Sequence, residues 1–125
     1  PGETEDERLE REEREREQAL AEWEVELAEV VSRIMDAPAF KHKEYVRELN
    51  DLAPRGEPQL LQAHLMDLVE HTRAAVRVAG VQTLQHHTPP GDGLIVGVLR
   101  ELLERDEDEA VRMAAGDALV TVDPR

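Results

Sequence analysis

The sequence predicts an all-α chain: a short array of about three antiparallel helix pairs behind a charged helical extension. Three observations carry this expectation. Apolar residues recur at steps of three and four, the spacing of one helix face. Breakers at Pro38, Pro54-Arg55-Gly56, Pro89-Pro90-Gly91 and Pro124 cut the periodic stretches into helix-sized pieces. A segment also repeats itself after 35 residues. The expected division is residues 1–18 as an exposed extension, helical or disordered, and residues 19–125 as one helical domain.

The extension owes its character to charge. Residues 1–36 hold fourteen acids and five arginines, a net of −9, and Leu9 is the only large apolar residue between Glu3 and Gln18. Such a segment buries too little to hold itself on a core. The pairs Glu7/Arg11, Glu10/Arg14 and Glu12/Arg16 have the acid-first i,i+4 order that supports an exposed helix by roughly 0.2–0.5 kcal/mol each. From Ala19 the pattern becomes amphipathic: Leu20, Trp23, Leu27, Val30 with Val31, and Ile34 share one side up to Pro38. The next stretch, 39–52, offers Phe40, Tyr45, Val46, Leu49 and Leu52 for burial. Pro58 suits the first position of a helix over 58–71 carrying Leu60, Leu61, Leu65, Leu68 and Val69. Thr72 is the expected cap of a helix over 73–87. Leu94, Ile95, Val96, Val98, Leu99, Leu102 and Leu103 form a helix over 93–105, in which Gly97 marks a close contact. Asp106-Glu107-Asp108 leads into a last helix over 108–121, where acids are favourable as caps and against the helix dipole.

The repeat orders these helices. Val76-Arg77 to Leu84 aligns without a gap to Val111-Arg112 to Leu119, and Pro58, Leu60, Leu61 and Leu68 stand 35 before Gly93, Ile95, Val96 and Leu103. A further step back puts Lys41–Leu49 in the same register. Leu102-Leu103 followed by Asp106, Asp108, Val111-Arg112, Ala115 and Leu119 resembles a HEAT repeat, and Leu68-Val69 followed by Val76-Arg77, Gly80 and Leu84 is a weaker copy. The resemblance covers 58–121 well and 19–52 by helix length and spacing only. It implies a right-handed solenoid whose inner face binds protein partners. It also implies that Arg77 and Arg112 brace neighbouring repeats through a turn aspartate, Asp106 or Asp108.

Composition bounds the function. With 125 residues the chain fits one domain, and without cysteine it has no disulfide, thiolate metal site or cysteine nucleophile. Twenty-nine acids against fifteen Lys plus Arg leave a formal charge of −14, which repels nucleic acid and anionic lipid alike. No run approaches a membrane span. Gly91-Asp92-Gly93 lacks the lysine and hydroxyl of a phosphate loop and reads as a turn. His64, Asp67 and His71 share a helix face beside Glu70, with His86 and His87 on the neighbouring helix, but two turns (roughly 10 Å) separate His64 from His71, too far for one metal. Enzymes of HEAT-like build that use repeated His-Glu pairs are not matched, since Glu70-His71 occurs once and reversed. Ser32, the sole serine, has no triad partners.

The reading that follows is a non-enzymatic protein-binding or oligomerisation scaffold, without catalytic, metal or cofactor residues and cytoplasmic by default. Its candidate interface is Leu20, Trp23, Leu27, Val31, Arg77 and Arg112, and its partner is a second copy or a neutral or basic protein. The first helix serves either as that interface or as a cap packed on Phe40, Tyr45 and Leu49. The rival classes are a HEAT-like enzyme or metal-dependent protein, a piece of a larger solenoid, and a helical regulatory domain.

Overall fold

The computed structural model describes residues 2–124, which form six α-helices and no strand. They are α1 (Glu5–Asp36), α2 (His42–Leu52), α3 (Pro58–Val69), α4 (Ala74–His87), α5 (Gly93–Arg105) and α6 (Glu109–Val122). Two short 3-10 turns, Ala39–Lys41 and Ala53–Arg55, flank α2. Each even-numbered helix packs on the odd-numbered helix before it. Between these pairs, α4 packs on both α2 and α6, and α1 packs on α3. The result is an all-α helical array of helical-repeat type in general.

The charged segment and the first amphipathic stretch are one helix of 32 residues. Thr4 caps it by accepting from the Glu7 N–H at 3.1 Å, with three acids in the first turn. The stabilising ion pairs differ from the expected acid-first set. Arg11 clasps Glu3 with two hydrogen bonds, 2.9 and 3.2 Å, and reaches Glu15, while Arg8 lies between Glu5 and Glu12. The Arg11 hydrogen bonds hold the Glu3 carboxyl below its ordinary range. In the second half of α1, Trp23, Leu27, Val30, Val31 and Ile34 are buried.

Trp23 fixes the end of the first pair. Its indole N–H donates to the Leu52 carbonyl at 2.9 Å, satisfying the one polar atom of a buried ring. The ring lies so close to Gly56 that a Cβ there would overlap it, so glycine is required on the chain leaving α2. A second close approach joins α3 to α4, where a Cβ on Gly80 would sit 2.8 Å from Leu68 Cβ and the Val69 backbone nitrogen. Ala114 and Ala118 keep α6 slim on its packed side, and Ala118 is fully buried.

Helix starts follow the sequence with one exception. Pro58 opens α3, the Asp92 carboxylate accepts from the Ile95 N–H, and Asp108 accepts from the Ala110 and Val111 N–H groups. Thr72 does not cap α4; Arg73 stands at that position without a side-chain capping bond, its Nη1 donating to the Met35 carbonyl, and the Thr72 carbonyl instead accepts from Arg77. Phe40 also departs from expectation. It lies on the 3-10 turn before α2 and is 81% exposed, because the turn shifts it off the face that buries Leu49.

Two glycines therefore have opposite roles. Gly56→Ala lowers stability by about 1–3 kcal/mol through overpacking against Trp23. Gly97→Ala, where a Cβ meets nothing within 4 Å, raises it by about 0.5–1 kcal/mol through helix propensity. Urea unfolding followed by circular dichroism checks both signs.

Candidate functional site

The first Val-Arg segment begins α4 and the second begins α6, and Val76 and Val111 are both fully buried. Arg77 makes four side-chain hydrogen bonds to described residues. Its Nε and Nη2 donate to Asp106 Oδ2 and Oδ1, both at 3.0 Å, in a two-pronged pair. Its Nη1 donates to the carbonyls of His71 and Thr72 at 3.0 and 2.8 Å. The two side chains keep only 10% and 7% exposure. Burial works against ionising Asp106, but the Arg77 hydrogen bonds, the Asp108 N–H and the charges of Arg77 and Arg112 outweigh it and hold its carboxyl below the ordinary aspartate range. The turn at 106–108 is thereby tied to the start of α4.

Arg112 sits 35 residues after Arg77 and repeats one part of this arrangement. Its Nη1 donates to the Asp106 carbonyl at 2.7 Å, the counterpart of the Arg77 bond to His71. His42 occupies the same register one step earlier. It is buried, and its Nε2 lies 3.2 Å from the Ala37 carbonyl, the counterpart of Thr72. A sequence comparison centred on apolar residues misses this polar equivalence.

The remaining sequence candidates lie inside the chain. Trp23, Leu27 and Val31 are 5%, 0% and 4% exposed, and Leu20 is half-buried against the same core. The α1 stripe is thus occupied by α2, α3 and α4, with Gly56 against Trp23. The histidines are dispersed: His64 faces Glu24, the His71 ring accepts from the Arg73 N–H, and His87 bonds Asn50 at 2.7 Å. Burial, with His86 beside it, lowers the His87 pKa. Among the described residues no three His, Asp or Glu side chains converge on a metal position.

The feature with the geometry of a docking site lies elsewhere. α4 and α6 pack closely while α3 and α5 scarcely touch, so the second and third pairs open like a wedge. The opening is a groove of about 500 Å³ lined by Met66, Val69, Leu94, Gly97, Val98 and Leu102, with Gly93 at one end and Glu70 and Glu101 at its rim. Val69 is buried at its base, whereas Leu94 is 64% exposed. Gly97 contributes no packing within the chain, contrary to the close contact expected of it. The available signal was the excess of apolar residues on α5: seven between 94 and 103 are more than one buried face can hold.

Among the described residues no helix is long and apolar enough to cross a membrane. No family model, curated protein or solved structure matches the chain.

The unequal engagement of the two arginines sets measurable differences. Arg77→Gln destabilises by about 2–4 kcal/mol, because Asp106 is left as a buried unpaired charge. Arg112→Gln removes one bond and costs about 1 kcal/mol. Because the Asp106 pKa is depressed, its stabilisation is present above the ordinary aspartate range and is lost as pH falls through the folded-state value. Asp106→Asn therefore lowers stability at neutral pH and flattens its decline in acid, measured by thermal melts across pH.

Proposed function

We propose that the chain is a non-enzymatic protein-binding scaffold of HEAT-like helical-repeat construction, and that the groove between α3 and α5 takes a basic amphipathic helix from a partner protein. The observation that carries this reading is the groove itself: an apolar trough with acidic rims in a chain of net charge −14. An apolar helix face fills the trough, Lys or Arg beside it meets Glu70 and Glu101, and Gly97 leaves room for the partner backbone. A mid-helix glycine that packs on nothing weakens α5 by up to about 1 kcal/mol, and a docked helix gives it a use. The repeat reading is supported by the 35-residue register of His42, Arg77 and Arg112, whose side chains all bond carbonyls five or six residues earlier. Cytoplasmic placement belongs to the same reading. Pairing of two copies through this groove is opposed by their like charge.

Two synthetic amphipathic helices with the same leucine face, one carrying lysines and one glutamates on its polar face, test the proposal by fluorescence anisotropy. The basic peptide binds and weakens with added salt, while the acidic one does not bind. Leu94→Glu and Gly97→Phe each reduce binding at least about tenfold with helicity intact. Equal binding of both peptides, or indifference to both substitutions, rejects the groove as the site.

A further inference from the structure

Acidic residues are missing from one stretch of an otherwise acidic chain. Between His71 and Gly91 there is no Asp or Glu, although the chain holds twenty-nine, and α4 lies wholly inside that stretch. The chain's only two lysines, Lys41 and Lys43, stand at the start of the neighbouring α2, and neither makes an ion pair among the described residues. Arg73 joins them. It directly precedes α4, and its 2.8 Å bond to the Met35 carbonyl holds the start of α4 beside the chain that enters α2. Between α2 and α4 runs a trough of about 470 Å³, separate from the groove between α3 and α5. Ala39, Val46, Ala75 and Val78 give it apolar walls, with Lys43 towards the helix starts and the neutral Gln82 towards the far end. No carboxylate lines it. Those of α2 face the other way, since Glu48 pairs with Arg33 of α1 and Glu44 lies one turn earlier on the same side. Phe40, next to Ala39 and 81% exposed, is an aromatic ring that the core leaves outside.

We infer that this trough binds a free medium-chain carboxylate, whose head group meets Lys43 and whose alkyl chain lies between α2 and α4. The occupant follows from the two ends of the trough. A cationic end selects an anionic head, and an apolar, uncharged remainder selects a chain without further polar groups. The trough runs along two turns of each helix, from Ala39 to Val46 and from Ala75 to Gln82, roughly 10 Å, which sets the medium chain length. Lys41 and Arg73 add positive charge at the head-group end, and Phe40 covers the alkyl chain. Anionic membrane lipids carry the same kind of head. A bilayer, however, sets many of them against a molecule of net charge −14, whereas a single carboxylate meets only the acid-free stretch. The trough is bounded by this chain on both sides rather than lying at an end of the array, so both of its walls are present. The inference is independent of the groove between α3 and α5, whose acidic rim repels such a ligand.

Titration calorimetry at neutral pH, below micelle-forming concentrations, tests it with hexanoate, octanoate, decanoate and the uncharged decanol. Decanoate binds saturably at one site, and the acids tighten about two- to fourfold per added methylene. Decanol binds at least about tenfold more weakly than decanoate. The amide NMR resonances that shift are those of residues 39–46 and 75–82. Lys43→Glu weakens decanoate at least about tenfold and Val78→Asp abolishes its binding, while Leu94→Glu in the other groove leaves it unchanged. Circular dichroism of each variant confirms that the helices persist, so that lost binding is not lost folding. The inference is overturned if decanoate adsorbs without saturation, if decanol binds as well, if Lys43→Glu has no effect, or if the shifted amides lie elsewhere. It is equally overturned if the chain sediments with phosphatidylserine vesicles yet leaves free decanoate unbound.

Discussion

A guanidinium with a tenth of its side chain exposed needs a counter-charge and a full set of acceptors, and Asp106 with the His71 and Thr72 carbonyls supplies both. The pair is directional as well as stabilising. Two parallel hydrogen bonds admit little rotation, so the turn at 106–108 is held at a set position relative to α4. Because α6 starts from that turn and packs on α4, the second and third pairs are drawn together on the α4–α6 side. Nothing comparable joins α3 to α5, and the apolar groove is the geometric remainder of that asymmetry.

Most of the helical plan was legible because it rests on local chemistry. The α5 boundaries follow from Asp92 before the helix and the acidic turn after it, and Asp108 caps α6 as such a residue should. The resemblance to HEAT repeats implied that Arg77 meets a turn aspartate, Asp106 or Asp108, and the partner is Asp106. What could not be read was which side of an over-rich helix faces its own chain. Leu94 and Ile95 are neighbours of similar hydrophobicity, yet one is 64% exposed and the other fully buried, and only the divergence of α3 from α5 decides between them. The α1 stripe presented the same difficulty in reverse. Its spacing suited either a partner or a core, and the hydrogen bond from Trp23 to Leu52 assigns the tryptophan to the core. Phe40 was misplaced because one turn of 3-10 helix rotates a side chain differently from an α-helical turn.

Charge and packing divide the molecule unequally. The first half of α1 is exposed and strongly acidic, held by its cap and by arginine-centred pairs, whereas α4 buries half of its fourteen residues and touches four other helices. Local stability should follow that division, fraying at the amino end and persisting longest around α4. The acidic field of the molecule thus originates mainly from a segment with little packing of its own.

Trp23, the sole tryptophan, is enclosed between α1 and the turn after α2. Its emission therefore reports on one junction only, while the ellipticity of the chain sums over every helix. In a stack held together by nearest neighbours, dissolution need not be simultaneous. The indole acts as a built-in local dye, and any lag between its spectrum and the global signal reveals from which end the molecule comes apart.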